Sequence, residues 1–308
     1  MPRSAGHTDR LVRRLRWDEI DPAWLRRLAE MAREEDLRGA GLAQPPTRGG
    51  DATSELLPTD SRGRGRLVAR EAMVVAGLGL LTPILAVYGG SVRARTLTQD
   101  GQRVAVGEAL AELEGPAAEL LTAERTLLNF LQRLTGVATA TRAHVDALGA
   151  GTTRLLDTRK TTPGFRMLEK YAVGAGGGWN HRLGLFDRVM VKDNHLAAGQ
   201  ATRGERLAGL VRAARAARPD LLVEVEVDAT EQIDPVIAAG ADIVLLDNFP
   251  MAELASAVPR AKAGAWCEVS GGVSLATLPA LGTLAPDFVS CGSITHGARW
   301  ADIGLDWD

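Results

Sequence analysis

The sequence of 308 residues contains few cysteines, few aromatic residues and almost no lysine. Its two cysteines, Cys267 and Cys291, are too few for a disulfide framework and lack the spacing of a metal site, which favours a reducing cytoplasm. No lysine precedes Lys160, so the β segments around residues 92–113 cannot form a biotinyl or lipoyl carrier domain, which presents a lysine on a hairpin. With 45% apolar residues, the chain can bury one large core or two moderate ones.

Two further absences concern nucleic acids and membranes. A net charge of −2 argues against general nucleic-acid binding. The basic N-terminus has no apolar run behind its arginines, so it does not resemble a secretory signal, and we expect a solvated leader. Residues 72–92 carry no charge and are long enough for a membrane span, but glycines and Pro83 divide them, which predicts buried strands and turns instead.

Glycine-rich nucleotide motifs are missing as well. Gly174 and Gly176 begin a dinucleotide-binding pattern, but Trp179 stands where its last glycine would be. The chain also has no Gly-Lys pair of the kind found in a Walker A loop. Any phosphate must therefore be held by other means.

What the sequence does contain is a concentration of positive charge between residues 154 and 195. This stretch has eight Lys or Arg residues against four Asp or Glu, although the whole chain is slightly acidic. Three of the four lysines lie in it, at 160, 170 and 192, while Arg supplies the other 32 basic residues. The excess predicts a pocket for an anionic ligand, and lysine suits a phosphate or a titrating role. His181, between Asn180 and Arg182, is the best histidine candidate for ligand contact.

Beyond residue 141, short apolar runs alternate with polar turns and Ala-rich helical stretches, which predicts βα units. Each of six predicted strands ends in polar or glycine residues; the strands are 154–157, 189–191, 222–227, 243–246, 266–269 and 288–290. An open doubly wound sheet is compatible with this alternation. Six polar strand ends favour a β/α barrel, whose site forms at the carboxyl ends of its strands.

Two glycine loops follow the last two of these strands. Ser270-Gly271-Gly272 and Gly292-Ser293 could hold a phosphate through backbone N–H groups, or they could be simple turns. Two such loops in one barrel favour phosphate binding.

Two carboxylates, Glu226 and Asp247, end consecutive predicted strands and should face the same mouth. They could hold Mg2+ together with phosphate oxygens and water. The alternative is a structural salt bridge to Lys192 or Arg159.

Before residue 141 the pattern predicts three elements. Asp21-Pro22, followed by apolar residues at helical spacing, predicts a helix with Asp21 as N-cap. The alternating segments 92–98 and 104–106, separated by Asp100-Gly101, predict a hairpin. After Pro116 a broad leucine face predicts a second helix.

Five ordered segments resemble the quinolinate phosphoribosyltransferase family, the carboxylating nicotinate-nucleotide pyrophosphorylases. They are ERTLLNFLQ at 124–132, DTRKTTPG at 157–164, NHRLGL at 180–185, KDNH at 192–195 and LDNF at 246–249. The resemblance covers nearly the whole chain from about residue 50 to 307. It implies an N-terminal α/β sandwich domain, residues 1–130, to which the tail 298–308 is expected to return, and an incomplete β/α barrel, residues 131–297. It also implies a homodimer with shared active sites, or a larger assembly.

The reaction implied by the resemblance joins quinolinate to phosphoribosyl pyrophosphate with Mg2+, giving nicotinate mononucleotide, pyrophosphate and CO2. The residues expected around the two quinolinate carboxylates are Arg159, His181, Arg182 and Lys192, with Arg125 reaching in from the partner subunit. Lys160 is expected to grip pyrophosphate, and Glu226 and Asp247 to face the ribose hydroxyls and Mg2+. The 5′-phosphate is expected at Ser270, Gly271, Gly272, Gly292 and Ser293. Lys160, Lys192, Glu226 and Asp247 are the expected catalytic set.

The sequence departs from the family pattern in a Gly/Pro/Arg-rich insertion at 38–50 and at Gly174, where many relatives have a larger, often basic residue. Two other functions remain open at this point. The chain could be a phosphoribosyltransferase of the same fold that acts on another anionic substrate. It could also be a regulator that binds quinolinate without turnover.

Overall fold

The computed structural model of the protein describes residues 11–192 and 204–308. Asp193, Asn194 and His195, which close the predicted cationic stretch, lie outside the described residues. The chain forms two compact units, and each unit is assembled from separate stretches of the sequence. The first unit consists of Thr141–Arg166 and Gly178–Gly297 with the described residues before Leu15; the second consists of Leu15–Ala140, Met167–Gly177 and Ala298–Asp308.

Twelve strands lie within the described residues. They are β1 Arg62–Ala69, β2 Met73–Val74, β3 Arg93–Thr96, β4 Arg103–Val104, β5 Ala109–Pro116, β6 Arg154–Leu156, β7 Val189–Val191, β8 Val223–Val227, β9 Ile243–Asp247, β10 Trp266–Ser270, β11 Phe288–Ser290 and β12 Ile303–Trp307.

Nine α-helices accompany these strands over the same described ranges. They are α1 Pro22–Arg38, α2 Leu81–Val87, α3 Ala117–Leu148, α4 Arg166–Ala175, α5 Gly204–Ala217, α6 Ile233–Ala238, α7 Met251–Lys262, α8 Leu278–Leu284 and α9 Ser293–His296.

The first unit contains a parallel sheet with the strand order β6-β11-β10-β9-β8-β7. All six strands predicted beyond residue 141 are present, each within one residue of its predicted bounds. The strands are rich in Val, Ile and Leu because helices cover a parallel sheet on its outer face while side chains fill its inner face. Parallel pairing puts all six carboxyl ends at one edge of the sheet.

The sheet curves into an incomplete barrel, as expected. The strand of this sheet that comes first in the chain, β6, pairs with the one that comes last, β11, which is the pairing that closes a β/α barrel. Among the described residues β6 and β7 are not paired with each other. Isolated bridges of Leu156 with Trp179 and of Arg13 with Asn180 lie in this opening.

The expected solvated leader is wrong for residues 11–15. Leu11, Val12 and Leu15 are buried, and Leu11 and Val12 pack in one apolar cluster with Ile243 and Phe288. The Asn180 N–H donates to the Arg13 carbonyl at 2.7 Å, which fixes the segment as an extended piece of chain. The opening between β6 and β7 leaves apolar interior side chains without a neighbouring strand, and Leu11 and Val12 cover them.

Arg14 anchors the same segment by a polar and an aromatic contact. Its Nε donates to the Gly178 carbonyl at 2.9 Å, and its guanidinium stacks on the Trp179 ring at 4.3 Å from the centroid. The guanidinium of Arg154 also stacks on Trp179, at 4.1 Å. Such cation–π contacts contribute about 0.5–1 kcal/mol each at exposed positions.

The second unit contains a four-stranded antiparallel sheet in the order β12-β1-β5-β3 and helices α1, α2 and α4. The C-terminal strand β12 pairs with β1, so residues far apart in the chain share one sheet. The predicted helix after Asp21 is confirmed as α1: the Asp21 carboxylate accepts the Ala23 N–H at 2.9 Å, and Gly39 ends the helix with a left-handed φ of 66°.

The hairpin predicted around Asp100-Gly101 is wrong. β3 pairs with β5, whereas β4 pairs with β2. The Asp100 carboxylate accepts N–H groups from Gly77 and Leu78 and the hydroxyl of Tyr171. Its side chain therefore organises a distant turn, and the strands on either side of it diverge.

Residues 72–92 are not a membrane span. Within the described ranges, no helix is both long enough and apolar enough to cross a bilayer. The stretch contains β2, a 3-10 turn at Leu78–Leu80 and helix α2, so the prediction of strands and turns was wrong where α2 forms. Tertiary burial of Leu81, Ile84 and Leu85 on one helical face outweighs the β-branched composition.

The buried position of Leu11 gives a stability prediction. Leu11→Ala removes side-chain atoms that plug the opening of the barrel, and we expect the free energy of unfolding to fall by about 2–5 kcal/mol. Urea denaturation followed by tryptophan fluorescence measures the change. Leu185→Ala is the control, since that side chain is 69% exposed, and its effect should stay within about 0.5 kcal/mol. Equal small effects in both variants would contradict the plug.

Candidate functional site

A cavity of about 640 Å³ opens at the carboxyl ends of the barrel strands. Most of its wall is formed by residues at the end of, or just after, β6, β7, β8, β9, β10 and β11, whereas His181 and Arg182 come from the segment between α4 and β7. Twelve of the thirteen residues expected at the site line it: Arg159, Lys160, His181, Arg182, Lys192, Glu226, Asp247, Ser270, Gly271, Gly272, Gly292 and Ser293. All twelve belong to the first unit.

One side of the cavity is crowded with positive charge. Burial lowers the pKa of Arg182, and the positive charge of Arg159 lowers it further. The Nε of Arg159 is buried and has no hydrogen-bond partner among the described residues. Two guanidinium groups that repel each other, one with an unused buried donor, favour a bound anion, which relieves the repulsion and accepts the hydrogen bond.

The cavity is also lined by the two carboxylates, Glu226 and Asp247. Glu226 is buried and its Oε2 accepts from Lys192 Nζ at 2.8 Å, so the salt bridge to Lys192 considered from the sequence is present. Asp247 Oδ2 accepts from Asn248 Nδ2 at 2.7 Å. These bonds use one oxygen of each carboxylate.

The two glycine loops approach the cavity closely because they lack side chains. Gly271 has a φ of 89°, and a Cβ atom there would collide with the side chain and backbone nitrogen of Asn248. At Gly292 a Cβ would lie 2.9 Å from Lys160 Cδ and 3.3 Å from the ring of His296. Any other residue at either position would push cavity-lining groups apart.

Beneath the cations lies a layer of four buried ionisable side chains. His181 Nε2 is 3.2 Å from Glu224 Oε1 and 3.4 Å from Glu268 Oε1, and Arg188 Nη1 is 2.8 Å from Glu224 Oε2. Glu224 and Glu268 are fully buried. Neither oxygen of Glu268 has a hydrogen bond within the described residues, so its charge is offset by the nearby cations alone.

This layer decides the charge of His181. Burial by itself lowers the pKa of the imidazole, but the negative charges of Glu224 and Glu268 and the hydrogen bond with Glu224 outweigh it and raise the pKa to about 9. The Arg182 N–H points at Nδ1 from 2.7 Å, a contact that favours the neutral ring. A pKa raised to about 9 corresponds to roughly 3 kcal/mol in favour of the charged ring, whereas one backbone hydrogen bond contributes about 1 kcal/mol. The imidazolium is therefore the form we expect at neutral pH.

His181, Glu224 and Glu268 also have the donor atoms of a metal site, all within 4.8 Å of one another. The Arg188 guanidinium already provides a cation beside Glu224, and its Nη1 lies 3.5 Å from His181 Nε2. Arg188 additionally donates to the Leu11 carbonyl. We therefore interpret the layer as a charge network and assign no metal to it.

Two residues singled out in the sequence do not line this cavity. Arg125 is exposed on α3 in the second unit. Lys170 is fully buried in α4, also in the second unit, although it was counted in the cationic stretch. Proximity in sequence to Lys160 and Lys192 therefore did not predict its position.

Sequence reasoning missed several residues that line the cavity. Asn248 directly follows the expected residue Asp247 at the end of β9, and Glu268 lies two positions before the expected residue Ser270 at the end of β10. The alternation of a β-strand places Glu268 on the same face as Ser270 and could have revealed it. Cys291 and His296 line the cavity beside the loop 292–293. Burial raises the pKa of the Cys291 thiol, but hydrogen bonds to His144 and Ser293 outweigh it and leave the pKa lowered.

Models of one protein family match both the N-terminal and the C-terminal part of the chain. Residues 51–135 match the family described as quinolinate phosphoribosyl transferase, N-terminal domain, and residues 137–306 match its C-terminal domain. The chain is 40% identical over 257 residues to a probable carboxylating nicotinate-nucleotide pyrophosphorylase of Bacillus subtilis, covering 83% of this chain and 88% of that protein. It is 41% identical over 259 residues to the Mycobacterium leprae enzyme of that name, covering 82% and 89%.

A solved structure supports the same similarity. The nicotinate-nucleotide pyrophosphorylase of Francisella tularensis superposes with a TM-score of 0.84 at 35% identity, covering 94% of this chain and 98% of that one.

The raised pKa of His181 predicts a pH dependence of stability. The folded pKa of about 9 lies above the ordinary value of about 6.5, so the stabilisation is complete below pH 6.5 and is lost as the pH rises to 9. We expect roughly 3 kcal/mol of the unfolding free energy to disappear over this window. His181→Gln should lack this component, and the difference between the two pH profiles from urea denaturation measures it. Parallel profiles would show that the buried ring is neutral.

Proposed function

Because the chain belongs to the quinolinate phosphoribosyl transferase family, we propose that it transfers the phosphoribosyl group of phosphoribosyl pyrophosphate to quinolinate with loss of CO2. The products are nicotinate mononucleotide, pyrophosphate and CO2, a step of NAD biosynthesis. The observation that carries the proposal is that one cavity is lined both by a set of cations and by carboxylates with glycine loops. A dianionic substrate suits the first, and a phosphorylated sugar suits the second.

Quinolinate is proposed to bind at Arg159, Arg182 and His181. The planar guanidinium groups match carboxylates in bidentate geometry. The buried Nε of Arg159 supports this assignment, because a substrate carboxylate would accept its hydrogen bond. Lys192 pairs with Glu226 at 2.8 Å and so links the cations to the carboxylates of the cavity.

Phosphoribosyl pyrophosphate is proposed to bind with its 5′-phosphate at the loops 270–272 and 292–293. Backbone N–H groups there, including those at the start of α9, can donate to phosphate oxygens. The Lys160 side chain lies close to Gly292, and this position supports its proposed role in gripping the leaving pyrophosphate. Its backbone carbonyl accepts from Thr295 Oγ1 at 2.8 Å, which ties the lysine to the second loop.

Glu226 and Asp247 would hold Mg2+ in this proposal. Hard carboxylate oxygens on neighbouring strands fit the ion, and each carboxylate has one oxygen outside the bonds to Lys192 and Asn248. When bound, Mg2+ would neutralise charge on the pyrophosphate. The carboxylates also suit hydrogen bonding to the ribose hydroxyls.

The protein contributes mainly position and electrostatics. The cavity holds the pyridine nitrogen near C1 of the ribose, and that nitrogen forms the new bond as the bond to pyrophosphate breaks. Lys160 stabilises the charge that develops on the leaving group. The carboxylate beside the quaternised nitrogen then leaves as CO2, its bonding electrons remain on the ring carbon next to the positive nitrogen, and that carbon takes up a proton. The pyridine nitrogen has a lone pair of its own, so the transfer needs no general base.

Arg125 is proposed to complete the site from a second subunit. It is exposed on α3 and does not line the cavity of its own chain among the described residues. An exposed arginine within a segment that resembles the family motif is consistent with a role across a dimer interface. The two buried free cysteines are consistent with a reducing cytoplasm as the place of the reaction.

The proposed activity is tested with purified protein, quinolinate, phosphoribosyl pyrophosphate and Mg2+, with measurement of CO2 and pyrophosphate. We expect Arg182→Ala to raise the KM for quinolinate about tenfold to a hundredfold, because a charge-assisted hydrogen bond is lost, while the KM for phosphoribosyl pyrophosphate stays nearly constant. Arg218→Ala, which removes an exposed surface ion pair, is the control. A folded wild-type protein that releases neither product would refute the function, and quinolinate binding without turnover would indicate a regulator.

The role of Arg125 is tested by mixing two inactive variants. Arg125→Ala and Arg159→Ala subunits, when unfolded and refolded together, should recover up to about a quarter of the wild-type activity, because random pairing gives mixed dimers with one intact site. Each variant refolded alone is the control. No recovery in the mixture would mean that Arg125 and Arg159 do not act in a site shared between subunits.

A further inference from the structure

Asn248, at the carboxyl end of β9, is a cavity residue without an assigned role. Its backbone φ is 55°, in the left-handed region. Residues other than Gly, Asn and Asp rarely adopt this conformation. The backbone N–H donates to the Ser270 carbonyl at 3.0 Å. The residue therefore turns the chain out of β9 and at the same time binds the end of β10.

The side chain of Asn248 makes two further contacts. Its Nδ2 donates to Asp247 Oδ2 at 2.7 Å, which fixes the orientation of that carboxylate. Its Oδ1 lies against the Gly271 backbone, so that a Cβ atom at residue 271 would collide with it. One amide thus touches both the carboxylate and the glycine loop on the sugar-phosphate side of the cavity.

We propose that Asn248 is a positioning residue for phosphoribosyl pyrophosphate: it orients the Asp247 carboxylate and sets the distance between that carboxylate and the loop 270–272. This inference rests on the proposed function and extends it. A ligand with a ribose and a 5′-phosphate must satisfy both groups at once, so their spacing governs its affinity. Quinolinate, bound on the cationic side, does not depend on it.

The left-handed backbone offers a competing explanation, since asparagine could be present only because it tolerates this φ. Three variants separate the two roles. Asn248→Gly keeps the backbone freedom and removes the amide. Asn248→Asp keeps the shape and the tolerance of φ, but it places a carboxylate oxygen where the amide donated to Asp247. Asn248→Ala loses both the amide and the tolerance.

If the amide positions Asp247, Asn248→Gly should raise the KM for phosphoribosyl pyrophosphate about tenfold to a hundredfold, as expected for loss of a hydrogen bond to a charged group. Asn248→Asp should raise it further, because two carboxylates then repel each other. The KM for quinolinate should stay within about twofold in both variants. Ala285→Gly is the control for glycine at a left-handed position outside the cavity, φ 50°, and should leave both KM values unchanged.

A glycine variant with wild-type KM values, together with an alanine variant of lowered melting temperature, would overturn the inference, because backbone conformation alone would then explain the residue. Equal increases in both KM values would overturn it as well, since the effect would not be confined to one substrate. An inactive wild-type protein would instead refute the proposed function, and the inference with it.

Discussion

The balance of charge in and beneath the cavity is the constraint on which the rest of the site depends. Arg159 and Arg182 are held close enough to repel each other, and this arrangement is tolerable because the carboxylates of Glu224 and Glu268 lie below them, buried with His181 and Arg188. Buried carboxylates without cations would be costly, and buried cations without carboxylates equally so. The layer therefore fixes an excess of positive charge at the mouth of the barrel, where an anionic substrate completes the balance.

The incomplete barrel explains how one chain brings these charges together. Six parallel strands deliver their carboxyl ends to one mouth, so residues separated by more than a hundred positions, such as Lys160 and Ser293, line the same cavity. The opening between β6 and β7 would by itself lower the stability of the barrel, since it would leave apolar interior side chains exposed. Leu11 and Val12 cover that opening, and Arg188 connects it to the charged layer by donating to the Leu11 carbonyl. Stability at the opening and charge at the site are thus linked through one arginine.

Much of this arrangement could be predicted because it depends on local patterns. The six barrel strands were recognisable because each is a short apolar run followed by a polar end, and the residues at those ends were expected at the cavity for the same reason. The prediction of a hairpin at Asp100-Gly101 was wrong because the Asp100 side chain binds backbone groups more than twenty residues away. The expectation that Lys170 belongs to the cationic pocket was wrong because Lys170 lies on α4 and is buried in the second unit.

The sequence by itself determined the strand positions, the cationic stretch and the identity of the groups at the strand ends, because hydrophobic periodicity and residue chemistry are properties of neighbours in the chain. Only the tertiary structure decided the partners of His181, the burial of Leu11 and Val12, and the contact of Asn248 with Gly271. Each of these joins segments far apart in sequence. Pairing between distant segments depends on the packing of the whole unit, and no local pattern encodes it.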